Sequence, residues 1–222
     1  MSIHQLLVLF ADQVKATPIL EWVAIFFAVA EVLLARNNSV LLYPSGIIST
    51  VIYTYLFVRP SVKLYADAIL NSYYFIMSVY GWLLWTKNRG NNAALPISSC
   101  TKTDWTIIVS LALAGWVLLY FLLTWFFPVV MPALFHITYI PSDVAIWDAF
   151  ISATAWTGMW LLAKRKVENW LLLNISNIVA IPIYIYKGMP FTAALTLFLF
   201  IVAIFGYLEW KKLYRLQQLK LQ

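Results

Sequence analysis

The chain has 222 residues, of which 63% are hydrophobic and 11% charged, and its formal charge is +6. Soluble domains carry about 25% charged residues, so this composition excludes an ordinary water-soluble globule and specifies an all-α polytopic membrane protein. The positive charge does not point to nucleic acid, because the basic residues stand at segment ends and no basic run is interleaved with stacking aromatics.

Residues 1–16 contain Asp12 and Lys15 and lack a basic start followed by a small-residue cleavage site, so they read as an N-terminal segment rather than a removable signal peptide. Seven segments then approach the roughly 20 apolar residues that a spanning helix needs. They are 17–36, 39–58, 64–86, 103–127, 143–163, 167–187 and 189–210. Breakers separate them: Arg36-Asn37-Asn38, Arg59-Pro60, the stretch from Lys87 to Lys102 with Gly90 and Pro96, and Gly188-Met189-Pro190. The stretch 128–142 carries Pro128, Pro132 and Pro141 and is expected as an apolar surface loop rather than a further span. Cys100, in a polar linker, is the only cysteine, which leaves no intramolecular disulfide.

Most basic residues fall on the side of the C-terminus: Arg36, Lys87, Arg89, Lys102, the run Lys164-Arg165-Lys166, and Lys211, Lys212, Arg215 and Lys220. Lys15, Arg59, Lys63 and Lys187 fall on the other. The positive-inside rule therefore predicts the N-terminus outside and the C-terminus in the cytoplasm.

The chain also repeats itself. Leu33-Leu34-Ala35-Arg36 answers to Leu161-Leu162-Ala163-Lys164, and Tyr80-Gly81-Trp82 with Trp85 answers to Phe205-Gly206-Tyr207 with Trp210. Two three-helix repeats, 17–86 and 143–210, point the same way only if a fourth helix intervenes. The predicted plan is three plus one plus three: helix 103–127 with its loops fills 87–142, and a basic tail covers 211–222. This is the architecture of small SWEET-type facilitators.

Helical spacing sorts the polar residues into stripes. Asp67, Asn71, Tyr74, Ser78, Trp82 and Trp85 share a face of the third helix, and Trp170, Asn174, Asn177, Ile181 and Tyr184 share one of the sixth. Ser152 and Trp156 with Asp148 and Met159 mark the fifth helix, and Ser49 and Tyr53 with Gly46 mark the second. Each polar group has a plain reading as a bond between neighbouring helices, worth about 0.6 kcal/mol on average. Taken together, amides bracketed by rings on two helices predict a pocket for a flat ligand. Its expected contacts are Asn71, Tyr74, Ser78, Trp82, Trp170, Asn174, Asn177, Tyr184, Ser49, Tyr53, Trp156 and Ser152.

Asp67 and Asp148 lie near the outer ends of their helices, where water or a basic partner can reach them. Glu31 is deeper and reads as structural, with Arg36 one to two turns away. Gly46 and Pro182 are expected flexible points. No P-loop, HExxH or serine-base pattern is present, and His4 and His136 are far apart, so no enzyme activity, metal or cofactor is expected.

The pieces LLAR (33–36), YADAILNSYYFIMSVYGWLLW (65–85), IWDAF (146–150), ENWLL (168–172) and IPIYIYKG (181–188) resemble the Pnu family of bacterial vitamin transporters. The resemblance spans about residues 20–210. It implies the same bundle in the cytoplasmic membrane, homotrimers, and uptake of nicotinamide riboside, thiamine or riboflavin. It further implies facilitated diffusion without a coupling ion, the vitamin being trapped by a cytoplasmic kinase. Two positions depart from the nicotinamide-riboside pattern: Leu173, where members often have Trp, and Asn177, where they often have Asp. Nicotinamide riboside is the first expectation and thiamine the alternative. A membrane sensor or structural subunit, a different class, predicts that Asn71, Asn174 and Asn177 only join helices and that no cavity lies between the repeats.

Overall fold

The computed structural model describes residues 3–59, 65–87 and 95–220. Pro60, Lys63, Arg89 and Gly90, which enter the breaks and charges above, lie outside them. The described chain is helical nearly throughout: α1 (Ile3–Ala16), α2 (Ile19–Arg36), α3 (Leu42–Val58), α4 (Tyr65–Lys87), α5 (Lys102–Phe121), α6 (Phe127–Phe135), α7 (Ala145–Ala163), α8 (Asn169–Tyr186) and α9 (Pro190–Leu219).

Local chemistry sets several of the boundaries. Pro18 precedes α2 and Pro190 opens α9, where a missing N–H costs nothing. Thr101 and Asp104 cap the start of α5 reciprocally, each side chain accepting from the other's backbone N–H. The turns ending α2 and α7 are the same. Asn38 and Arg165 take left-handed backbone at φ 53° and 57°. The N–H groups of Asn38 and Ser39 return to Ala35 and Leu34, as those of Arg165 and Lys166 return to Leu162 and Leu161. This is the Schellman arrangement, which satisfies the last carbonyls of a helix.

Helix α2 packs on α3 and α3 on α4; α7 packs on α8 and α8 on α9. Contacts of α4 with α7 and of α2 with α9 close these six helices into a ring, and α5 lies outside it against α7. One end of the ring is filled by Tyr43, Trp85, Trp170 and Trp210, all buried. Segment 95–101 docks at this end. Ser98 exchanges backbone bonds with Arg165 and Val167, and Glu168 accepts from the Cys100 N–H at 3.0 Å and from the Ser99 hydroxyl.

One expectation changes. The proline-rich stretch is not a loop from residue 128: a π-helical turn, Leu122–Phe126, carries α5 on into α6 as far as Phe135. The wide turn accommodates Pro128, which lacks an N–H, at the start of α6. The reason is burial. Leu119, Leu123, Phe127 and Met131 form one four-residue stripe against Ala149 and Ala153 of α7, and that packing overrides the prolines. Only the segment after Phe135 is irregular, beginning at His136 with its positive φ of 54°.

The spans stand out less evenly. Among the described residues, three helical stretches are by themselves long and apolar enough to cross a bilayer: Lys102–Phe135, Asn169–Tyr186 and Pro190–Leu219. The pair α1 and α2, bent by 105°, qualifies only when taken together. Helix α2 carries Glu21, Glu31 and Arg36, and α4 carries Asp67, Asn71 and Ser78, so interior-facing polar groups lower their apolarity. Residues 3–16 form a helix of their own. Its Gln13 donates to the Gly188 carbonyl at 2.7 Å and accepts from the Phe191 N–H at 3.1 Å, tying it to the start of α9.

Candidate functional site: a cavity inside the helix ring

A cavity of about 580 Å³ opens at the end of the ring opposite the aromatic quartet. Asp67 and Leu70 of α4, Asp148 and Ser152 of α7, and Tyr184 of α8 face it, with Phe57 of α3. Leu123, Met131 and the irregular segment around Tyr139 and Ser142 form its remaining wall. The proline-rich stretch, read from sequence as a surface loop, therefore borders the interior.

Its charges are arranged unequally. Lys187 pairs with Asp148 at 2.6 Å, whereas Asp67, also facing the cavity, makes no ion pair among the described residues. Among the described lining residues the acids outnumber the bases, with Asp67 and Asp148 against Lys187. Burial, and then the fields of Asp67 and Asp148, push the Tyr139 phenol up to about 12, so this ring is a neutral hydrogen-bonding group.

The twelve expected contacts separate into groups. Tyr184 and Ser152 line the cavity. Tyr74 lies beneath it, within electrostatic range of Tyr184. Deeper still, Ser78 Oγ, Trp156 Nε1 and Asn174 Oδ1 are buried with no hydrogen-bond partner among the described residues. Asn177 is half-buried on the same helix as Asn174. Unsatisfied polar atoms inside a bundle are costly, and several from three helices at similar depth suit a polar solute.

The other contacts are engaged elsewhere. The Asn71 amide donates to Thr50 O and Thr54 Oγ1, both at 3.0 Å, and the Ser49 hydroxyl donates to Ala24 O at 3.0 Å. Both bonds join neighbouring helices, which is the plain reading. Tyr53 stacks on Phe57 of its own helix. Trp82 is 41% exposed and points away from the interior, whereas Trp170 is 1% exposed inside the aromatic quartet. Trp82 follows Ser78 by a four-residue step that turns it off the face, whereas Trp170 stays on the inner face one turn nearer the closed end.

Tyr73 lies off that stripe and did not stand out in the sequence. Its ring stacks on Trp156 at 4.4 Å and its hydroxyl donates to Trp156 O at 3.0 Å, fixing the indole across the α4–α7 contact. Leu173 packs on Gly158 of α7, so this departure from the family pattern is a packing contact. Glu31 and Arg36 are not paired, because the guanidinium lies over the Phe205 ring at 5.4 Å. Gly46, expected as a flexible point, is a close-packing position: a Cβ there would stand 2.5 Å from the Glu31 carboxylate. Helix α8 runs unbroken through Pro182.

The nicotinamide mononucleotide transporter family matches residues 18–212. The chain belongs to this family. The nicotinamide riboside transporter PnuC of Escherichia coli (strain K12) is 24% identical over 206 residues, covering 86% of this chain and 85% of the relative. The protein of the same name from Shigella flexneri matches to the same extent. The crystal structure of the vitamin B3 transporter PnuC shares the fold, with a TM-score of 0.64 at 18% identity over 97% of this chain and 93% of that one. These relatives are transporters by name, not enzymes. A family of membrane transporters accords with the all-helical polytopic fold.

Proposed function

We propose that this protein takes up a small vitamin-type solute with a flat aromatic ring, nicotinamide riboside first, across the cytoplasmic membrane of a bacterium. The observation that carries this is the cavity of about 580 Å³ inside the helix ring, open at one end and closed at the other by buried aromatics. Its volume falls in the range of about 300–1,000 Å³ usual for small-molecule sites. A cavity touching both α4 and α8 argues against a purely structural subunit. The relatives' names support nicotinamide riboside, and the excess of acids among the described lining residues suits its cationic ring.

In this reading α2–α4 and α7–α9 are two parallel three-helix repeats, α5 with α6 is the central helix, and seven segments span the bilayer. The Asp67 end faces outside and the Arg165 end faces the cytoplasm. Transport is facilitated diffusion by rocking of one repeat against the other, with a cytoplasmic kinase trapping the product, and the protein assembles as a trimer. Thiamine, also cationic and flat, is the alternative substrate.

The test is uptake into proteoliposomes containing the matching kinase and ATP, with labelled nicotinamide riboside and labelled thiamine in parallel. Accumulation of the riboside above empty vesicles is expected. Accumulation of thiamine alone would transfer the assignment, and accumulation of neither would end it.

A further inference from the structure

Glu31 is a deep acidic group that the described site does not use. Its Oε1 is buried with no hydrogen-bond partner among the described residues, while the residue as a whole is only partly buried. The nearest basic residue along the chain, Arg36, is turned onto Phe205 instead. We propose that Glu31 is a specificity-determining residue, the counter-charge by which this transporter prefers a cationic ring to a neutral one. This rests on the function proposed above.

The internal repeat supplies the argument that packing does not require the carboxylate. Asn38 and Arg165, Tyr43 and Trp170, Gly46 and Leu173, and Glu31 and Gly158 all stand at one offset between the two halves. In the second half, Leu173 of α8 packs onto Gly158 of α7. In the first half the roles are exchanged: Glu31 of α2 packs onto Gly46 of α3. An apolar side chain against glycine is thus sufficient to hold such a helix pair. The first half places an acid where the second places a leucine contact, and an unpaired acid at this depth is costly to keep.

Its position connects it to the solute path. Tyr74 is within electrostatic range of Glu31 and also of Tyr184, which faces the cavity. Glu31 packs on Gly46, the repeat counterpart of Leu173, which places it at the depth of the neighbouring Asn174, whose Oδ1 is likewise buried without a partner among the described residues. The cation at the cavity mouth, Lys187, is already held by Asp148 and makes no ion pair with the deeper acid. A positively charged ring descending past Tyr74 and Tyr184 would meet aromatic faces that attract cations and then the missing partner of Glu31.

The test uses a pair of ligands of one shape and two charges, nicotinamide riboside and its neutral 1,4-dihydro form. Binding of each is measured by calorimetry on purified protein and on Glu31→Gln and Glu31→Met, with melting temperatures recorded. The wild type is expected to bind the cation at least about tenfold more tightly. Both variants should keep the affinity for the neutral form and lose the preference to within about twofold. A preference retained in the variants, or absent from the wild type, overturns the inference alone. Failure of both variants to fold assigns the carboxylate to structure and also overturns it. If the wild type binds neither form, the proposed function fails first and the inference falls with it.

Discussion

Trp210 donates its indole N–H to the carbonyl oxygen of Ala35 at 2.9 Å, and Trp85 donates to that of Ala163 at 3.0 Å. Each bond ties a helix of one half to the last turn of the first helix of the other. The two acceptors are one register position apart in the repeat, yet the rings meet at the centre, 6.1 Å between centroids. This end of the ring is therefore closed by two reciprocal bonds over a packed aromatic layer.

Replacing Trp210 or Trp85 by Phe keeps most of the ring volume and removes the bond. A hydrogen bond of this kind contributes about 0.5–1.5 kcal/mol, so each variant is expected to melt earlier by the corresponding amount. The double variant should depart from the sum of the two, because neighbouring residues couple. Thermal unfolding of the four proteins in detergent checks this. Unchanged melting in both single variants would show that these bonds do not hold the end shut.

Glycine placement at the same end makes a second prediction. A Cβ on Gly206 would stand 2.7 Å from the Trp170 indole, and one on Gly81 would collide with the Tyr43 ring. Neither ring can withdraw from a filled layer. Gly206→Ala should therefore cost about 1–3 kcal/mol by overpacking. Gly115→Ala is the control, since its Cβ would find Ala153 at 3.5 Å and ordinary contact. That variant should be neutral, or gain up to about 1 kcal/mol from helix propensity. Equal melting shifts in both proteins would remove the close-packing explanation.

Much of this end was legible in the sequence, and particular residues show why the rest was not. The paired Gly81-Trp85 and Gly206-Trp210 segments announce a repeat, because the same contact must be made twice. What each glycine makes room for depends on helix rotation, which periodicity does not report. Trp170 is the example: it shares a stripe with Asn174, yet one turn further along the helix it enters the aromatic layer. Helix α6 was hidden for a different reason. Pro128 and Pro132 carry a strong local signal, while the compensating signal is the buried stripe from Leu119 to Met131, which crosses the expected boundary. Tyr139, a cavity-lining residue in the segment that follows, was missed along with it.

Cys100 gives a prediction about reactivity. Burial, reinforced by the hydrogen bond and charge of Glu168, pushes its thiol up to about 12, far above the usual value near 8.5. The thiolate is the reacting form, and at pH 8 it is nearly absent. Alkylation of native protein by a maleimide at that pH should run at least about a hundredfold slower than on a free cysteine peptide. The rate should still be climbing at pH 10. Glu168→Gln removes the charge but not the burial and should recover part of the rate. A native rate equal to that of the peptide would mean that segment 95–101 is not held against Glu168.

Two asparagines that look alike in sequence should behave as opposites. The Asn71 amide bonds Thr50 O and Thr54 Oγ1 on α3, so Asn71→Leu strips two bonds from the α3–α4 contact. It should lower stability by about 1–3 kcal/mol. Its effect on ligand affinity should be small in protein that remains folded. Asn174 Oδ1 has no partner to lose, so Asn174→Leu should leave melting unchanged or raise it. If that oxygen meets the solute, as its place below the cavity suggests, the variant should bind at least about tenfold more weakly, a difference of about 1.4 kcal/mol. Calorimetry and melting on both variants separate the roles. An Asn174→Leu protein that binds like the wild type would return this amide to the plain reading. The solute contacts would then have to come from the cavity above it.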